Sequence, residues 1–269
     1  MNNSRKYYYP STYLTIDERM ISYRGKSSDI VFESSKPTKW GFRPYVLSDA
    51  STGYTFCFKL LEELEDNKFG KIYGLVTEFK IRHVLATDGL YTSENLLEIK
   101  DFYFVGAIRA NRIKNGESAL NDSIGKSSYE FYYKILNGNK FILTKFNDTK
   151  QFYIISNFIY APKSIKRTRW CKKDKKFHEE DYLYTVYLYT KYMKGVDKGN
   201  QLISYYELSR GTHKWWKRIF LHLIDISIVN SFIIYKKSEF NKGITQKQFR
   251  LDMVRAILKK YDTSNISYE

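Results

Sequence analysis

Tyr13-Leu14-Thr15-Ile16-Asp17-Glu18 is a short β-prone run that leads straight into two acids. A second run, His83-Val84-Leu85-Ala86, predicts a buried strand and ends on Thr87-Asp88-Gly89. Two apolar runs that each finish on an aspartate define a sheet whose strand ends carry carboxylates. Between them, Arg43 to Leu60 predicts two strands around the turn Asp49-Ala50-Ser51-Thr52-Gly53, with Tyr54, Phe56 and Phe58 alternating after it. Upstream, residues 1–9 are polar and aromatic and read as a loose arm.

Further out, Ile72, Leu75, Val76 and Phe79 have helical spacing, a short helix is expected from Thr92, and Phe102 to Ile108 predicts another strand. After Asn111 the texture changes. Asn115 to Lys126 is rich in Gly, Ser and Asn and reads as a loop. Phe131 to Leu136, Phe141 to Phe146 and Phe152 to Phe158 predict a three-strand meander. A basic segment follows with Lys163, Lys166, Arg167, Arg169, Lys172, Lys173, Lys175 and Lys176. From Tyr182 onward the pattern is helical, clearest over Leu202 to Leu208, Trp215 to Tyr235 and Gln246 to Tyr261. The chain thus divides into a strand-rich α/β part (1–110), a β-rich insertion with the basic segment (111–181) and a helical remainder (182–269). A mixed α/β core with a helical last layer is the packing solution for that order.

At 269 residues and 43% apolar content the chain can bury a full core without staples. Two cysteines, Cys57 and Cys171, exclude a disulfide scaffold and a cysteine-rich four-ligand zinc site, and fit a reducing compartment. No apolar leader is visible in MNNSRKYYYP. The longest apolar stretch, Ile219 to Tyr235, carries His222, Asp225 and Asn230, so a core helix is expected rather than a membrane span. Lys+Arg outnumber Asp+Glu 45 to 29, a net charge of +16. Phosphate backbones are the usual partner for such an excess, through counterion release. A Lys-, Asn- and Ile-rich coding bias explains part of the same charge.

Asp17, Asp88 and Asp197 are the candidate catalytic carboxylates. Asp17 and Asp88 close strands, and Asp197 lies between Gly195 and Gly199 at the start of a predicted helix. Divalent-metal phosphoryl transfer needs oxygen ligands converging from separate rigid elements. Each position also has a plain structural reading: Asp88-Gly89 as a turn dipeptide, Asp197 as a helix cap, Asp17-Glu18 as a solvated strand end. No phosphate-binding Gly-rich loop and no nucleophile elbow is present. The four histidines, His83, His178, His213 and His222, lack metal-ligand spacing, and Cys57 among aromatics reads as an inert buried thiol. Ser209-Arg210-Gly211-Thr212-His213-Lys214-Trp215-Trp216-Lys217-Arg218 interleaves cations with tryptophans, a pattern that can hold phosphates and stack on bases, or simply form a solvated basic face.

These blocks resemble the piggyBac transposase family in order over roughly residues 10–260. The resemblance runs from Tyr13–Glu18 through Tyr23-Arg24-Gly25, Ser35–Gly41, Val46–Tyr54, Thr87–Ser93, Phe104–Arg112, Lys194–Asp197 and Ser209–Trp215 to Ile228–Tyr235. It implies a ribonuclease-H-like mixed sheet with a β-rich insertion before the last catalytic helix. It implies that Asp17, Asp88 and Asp197, with Asn200 beside them, hold Mg²⁺ or Mn²⁺. It implies double-stranded DNA as partner (transposon ends and a TTAA-type target), a homodimer, and a nuclear location. Arg109, Arg112, Arg210, His213, Lys214, Trp215, Lys217 and Arg218 are the expected DNA contacts. Two residues depart from the family: Asn200 stands where a further Asp is usual, and Leu90 where an aromatic is usual. The family's long N-terminal region and cysteine-rich tail have no counterpart here. A truncated copy or an inert, domesticated DNA-binding remnant is therefore the alternative expectation.

Overall fold

The computed structural model describes residues 6–60, 83–93, 103–113, 128–136, 139–147, 150–158, 163–208, 211–240 and 243–261. The helix expected over 72–79 lies outside them, as does most of the one expected from Thr92.

β1 (Tyr13–Glu18) is the strand on which the sheet is built. Side chains alternate along a strand, so Leu14 and Ile16 face one side while Tyr13, Thr15 and Asp17 face the other. β2 (Ile21–Ser22), β3 (Val31–Phe32) and β4 (Trp40–Phe42) form a small separate sheet. β5 (Tyr45–Asp49) and β6 (Thr55–Lys59) are the hairpin expected from the sequence. Its turn is built on Asp49. Oδ1 accepts from the amides of Ser51 at 2.8 Å and Thr52 at 3.0 Å, and Oδ2 accepts from the amide of Ser11 at 2.7 Å. Within the supposed N-terminal arm Tyr8 is docked on this turn: it is buried and stacks on Tyr54, ring centroids 4.1 Å apart.

β7 (Val84–Thr87) is wholly buried, as a central parallel strand should be. β8 (Tyr103–Ile108) follows it. β1 runs antiparallel to β5 and parallel to β7, and β7 runs parallel to β8. The meander of β9 (Ser128–Leu136), β10 (Asn139–Asn147) and β11 (Gln151–Ser156) then joins β8 through β11. The resulting eight-stranded sheet has the order β6-β5-β1-β7-β8-β11-β10-β9. The segment 111–181 is thus divided. Its meander continues the main sheet, whereas the basic segment forms β12 (Ser164–Cys171), paired with β13 (Lys176–Leu183) in a two-stranded ribbon. The run of cations had masked these strands in the sequence.

β13 passes into α1 (Tyr184–Tyr192), followed by α2 (Gly195–Ser204), α3 (Trp215–Lys237) and α4 (Gln246–Lys260). α2 starts seven residues before the helical stretch expected from Leu202 and ends at Ser204, so Tyr205 to Leu208 are not helical. The helices divide between the two faces of the sheet. Leu14, Ile16, Leu47, Leu85 and Phe104 pack with Ile226, Val229 and Ile233 of α3. Val84, Ala86, Val105 and Ile154 pack with Val186 of α1 on the other face. Each such aliphatic side chain removed from water stabilises the fold by about 1.5–3 kcal/mol.

By length and composition α3 alone among the described helices could cross a membrane. Its buried face, however, carries Arg218, His222 and Asp225 along with Ile226 and Val229. Phe220 and Leu223 are exposed, so it is a one-sided core helix rather than one buried all round.

Candidate active site

Parallel pairing places the first two aspartates side by side. Ile16 is the partner of Thr87 across β1 and β7, so the next residues, Asp17 and Asp88, are neighbours at the carboxyl ends of adjacent strands. Paired residues of parallel strands point to the same face, and the strands are about 4.8 Å apart. That face is the one shared by Thr15 and α1. Burial is the largest influence on Asp17, and it acts with the neighbouring Glu18 carboxylate to push Asp17 up to about 8. Asp88 is raised too, by burial first and by the charge of Glu18, against the backbone amides that favour its ionised form. Tyr189 of α1 is pushed up to about 12 by burial and then by the charges of Asp88 and Asp17. These shifts mark a cluster of acids that repel one another, relieved only in part by the charge of Lys36.

The loop after β7 fixes Asp88. Its Oδ1 accepts from the amide of Leu90 at 2.9 Å, and its carbonyl accepts from the amide of Thr92 at 3.0 Å and from Thr92 Oγ1 at 2.7 Å. The turn reading of Asp88-Gly89 therefore holds. Arg112 clamps the same loop, donating to the carbonyls of Gly89 and Leu90, each at 2.8 Å. In Asp17, Oδ1 accepts from the amide of Glu18 at 2.8 Å.

Asp197 lies in the first turn of α2, where a carboxylate is favoured by the helix dipole. α2 packs on β1 and β5: just before its first turn the carbonyl of Met193 accepts from Thr15 Oγ1 at 3.1 Å on the Asp17 face, whereas Ile203 near its end joins the core cluster of the α3 face. The close approach depends on two glycines. A Cβ on Gly195 would stand 2.4 Å from Thr15 Cγ2 and 2.6 Å from Ala50 Cα. Gly53, at φ +80°, would put a Cβ 2.6 Å from the amide nitrogen of Gly199. Asp197 shares a cavity of about 450 Å³ with Glu18, Arg19, Lys36, Asn200, Glu207 and His222. Asp17 and Asp88 do not line that cavity; Glu18, whose charge raises both of them, does. Sequence reasoning passed over Glu18; only its place beside Asp17 hinted at it.

Asn200 is placed in the cavity but is not free. Its Oδ1 accepts from Nε of Arg19, a guanidinium only 2% exposed. Arg19 also lies 3.4 Å from Thr55 Oγ1 and 3.5 Å from His222 Nε2. Burial lowers Arg19 to about 10, and burial with the nearby Arg19 and Arg218 charges holds His222 well below its ordinary value.

The expected DNA contacts divide. His213, Lys214, Trp215 and Lys217 are exposed at the start of α3, as is Arg109 after β8. Arg210 lies outside the described residues. Arg218 corrects the sequence reading: it is 3% exposed and is a buried strut, donating from Nε to the carbonyl of Ser22 at 2.9 Å and pairing with Glu207. Helical geometry turns it inward, one residue beyond the exposed Lys217. The histidines need a correction as well. His178 lacks sequence spacing to any other ligand, yet the β12–β13 ribbon brings it to Cys171 and Asp174.

A family model described as Transposase IS4 matches residues 1–232. The human piggyBac transposable element-derived protein 3 is 22% identical over 258 residues, covering 90% of this chain and 43% of that protein. The human chimeric ERCC6-PGBD3 protein is also 22% identical, over 24% of its length. The chain therefore spans less than half the length of these curated relatives. Among solved structures, a piggyBac transposase synaptic complex with hairpin DNA superposes with a TM-score of 0.80 at 21% identity, covering 99% of this chain and 57% of that one. At that identity the likeness concerns the fold.

Proposed function

The chain belongs to the transposase IS4 family, in its piggyBac-like branch, and we propose that it is the catalytic core of a divalent-metal-dependent DNA transposase. The observation that carries this reading is the pairing of Ile16 with Thr87, which sets Asp17 and Asp88 at the ends of two adjacent parallel strands, with Asp197 in the first turn of α2 lining a cavity together with Glu18. In this reading the strand order β6-β5-β1-β7-β8 is that of a ribonuclease-H-like core. Residues 1–110 and 182–269 supply it, and 111–181 is the insertion.

The donor set fits Mg²⁺ or Mn²⁺, because carboxylate oxygens, here the half-buried ones of Asp17 and Asp88 and the exposed one of Asp197, are the ligands hard cations take. Asp17, Asp88 and Asp197 would hold the metal. Bound there, it supplies a Lewis acid for in-line displacement at phosphorus and lowers the pKa of an attacking water or 3′-hydroxyl. The residues themselves orient the site. Backbone amides hold Oδ1 of both Asp17 and Asp88, Arg112 fixes the Asp88 loop, and Gly195 lets α2 approach the sheet. The proposed substrate is double-stranded DNA, nicked at transposon ends, closed into a hairpin and joined to a TTAA-type target by a homodimer in the nucleus. The exposed His213, Lys214, Trp215, Lys217 and Arg109 would meet the phosphates and bases.

One observation favours a second reading, an inert DNA-binding descendant. The Asn200 carbonyl is occupied by Arg19, so Asn200 adds neither charge nor a free oxygen to the site. A pre-nicked transposon end supplied with Mg²⁺ or Mn²⁺ separates the two. Hairpin product that disappears in Asp88→Asn establishes the enzyme. DNA binding without product, and without a rise in melting temperature on adding Mg²⁺, establishes the descendant.

A further inference from the structure

The tip of the β12–β13 ribbon carries a donor set unlike that of the carboxylate site and shares no residue with it. Cys171 is the last residue of β12, Asp174 lies in the turn, and His178 is the third residue of β13. Cys171 pairs with Lys176 across the ribbon. Paired residues share a face, and residues two apart on a strand share it too, so Cys171 and His178 are diagonal neighbours on one side. On the other side Trp170 and Phe177 meet edge to face at 5.0 Å and hold the strands in register. The turn is tight, with Lys175 at φ +48°, and it folds Asp174 back over the same face. The Cys171 thiol, an Asp174 carboxylate oxygen and a His178 ring nitrogen all lie within 4.8 Å of one another. Asp174 Oδ2 is 3.1 Å from His178 Nε2.

We infer that these three side chains form a zinc site at the ribbon tip, with water in the fourth position. In a tetrahedral zinc site with Zn–S near 2.3 Å and Zn–N or Zn–O near 2.0–2.2 Å, ligand atoms stand roughly 3.3–3.7 Å apart. The 3.1 Å pair is already close to that spacing, and the Cys171 thiol lies within 4.8 Å of both partners. Thiolate with imidazole selects zinc over Mg²⁺ or Ca²⁺, which take oxygen. Binding would release the thiol proton. Thiolate, carboxylate and Zn²⁺ then sum to zero, a rise of only one charge over the free site, so Lys172, Lys173, Lys175 and Lys176 face no net cation. The bound metal ties the end of β12, the turn and β13 together, stiffening a ribbon tip that is otherwise two strands and one aromatic pair.

The test uses the whole chain in an Asp17→Asn/Asp88→Asn background, so that zinc cannot be held by that carboxylate pair. After stripping with chelator, zinc is titrated against a chromophoric competitor, and Co²⁺ is used as a spectroscopic probe. One equivalent of zinc should bind, and the cobalt form should show thiolate-to-metal charge transfer. Cys171→Ser should abolish that band. Cys171→Ser and His178→Ala should each lower zinc affinity by about 100-fold or more, since even outer-shell partners are worth 10–100-fold. Failure to compete for zinc, absence of the band, or zinc binding indifferent to both substitutions would overturn the assignment.

Discussion

Arg19 donates its Nε–H to the side-chain carbonyl of Asn200 inside the cavity that Glu18 and Asp197 line. Its other side-chain contacts among the described residues, Thr55 and His222, are uncharged. A guanidinium buried on neutral acceptors lacks the compensation that a carboxylate gives. Asn200→Asp supplies it with almost no change in shape. The substitution should stabilise the metal-free protein by about 1–3 kcal/mol, read as a higher midpoint in urea at neutral pH. An unchanged or lower midpoint would mean that Arg19 is already satisfied.

Asp17 gives a pH dependence of defined sign. An unfolded aspartate ionises near pH 4, whereas in the fold Asp17 keeps its proton up to about 8. Between these values the folded state binds the extra proton, so stability falls as pH rises and levels off above the upper one. The slope from one such group is at most about 1.4 kcal/mol per pH unit. Asp17→Asn removes the titrating group. Urea midpoints across the window should decline for the parent without metal and stay flatter for the variant; parallel curves would refute the burial of an ionisable Asp17.

The sequence made the strand-end aspartates legible because apolar β runs and their last residues are local signals. The hairpin at Asp49 and the start of α3 were legible for the same reason. Three features were not. The meander over 128–156 joins the main sheet through β8, a long-range pairing that no local pattern encodes. The ribbon over 164–183 was hidden by its lysines and arginines, which suit a solvated two-stranded element but mask β alternation. Arg218 looked like one more surface cation, and only the register of α3 shows that it points inward.

Gly195 tests whether α2 must lie close to the sheet for Asp197 to serve. A methyl group there would meet Thr15, Ala50 and the carbonyl of Asp49, two of them backbone contacts that cannot rotate away. Gly195→Ala should destabilise the fold by about 1–3 kcal/mol through overpacking. If the proposed metal site forms, it should also shrink the rise in melting temperature on adding Mg²⁺. A variant as stable as the parent would show that α2 can shift without cost.

Neighbouring cations on α3 should separate stability from DNA binding. Lys217 is exposed, its ammonium 5.6 Å from the ring of Trp216, and it makes no ion pair among the described residues. Arg218 is buried and bonded to Ser22 and Glu207. Lys217→Ala should leave the urea midpoint within about 0.5 kcal/mol while weakening DNA binding and lowering the salt slope by about one. Arg218→Ala strands Glu207 and the Ser22 carbonyl, so it should cost about 2–4 kcal/mol of stability. Its DNA affinity, measured where the variant is still folded, should keep the parent's salt slope, because a buried guanidinium releases no counterions from a phosphate. Reversal of the pattern, with Lys217 governing folding and Arg218 the salt slope, would place the DNA-facing side of α3 on the wrong face.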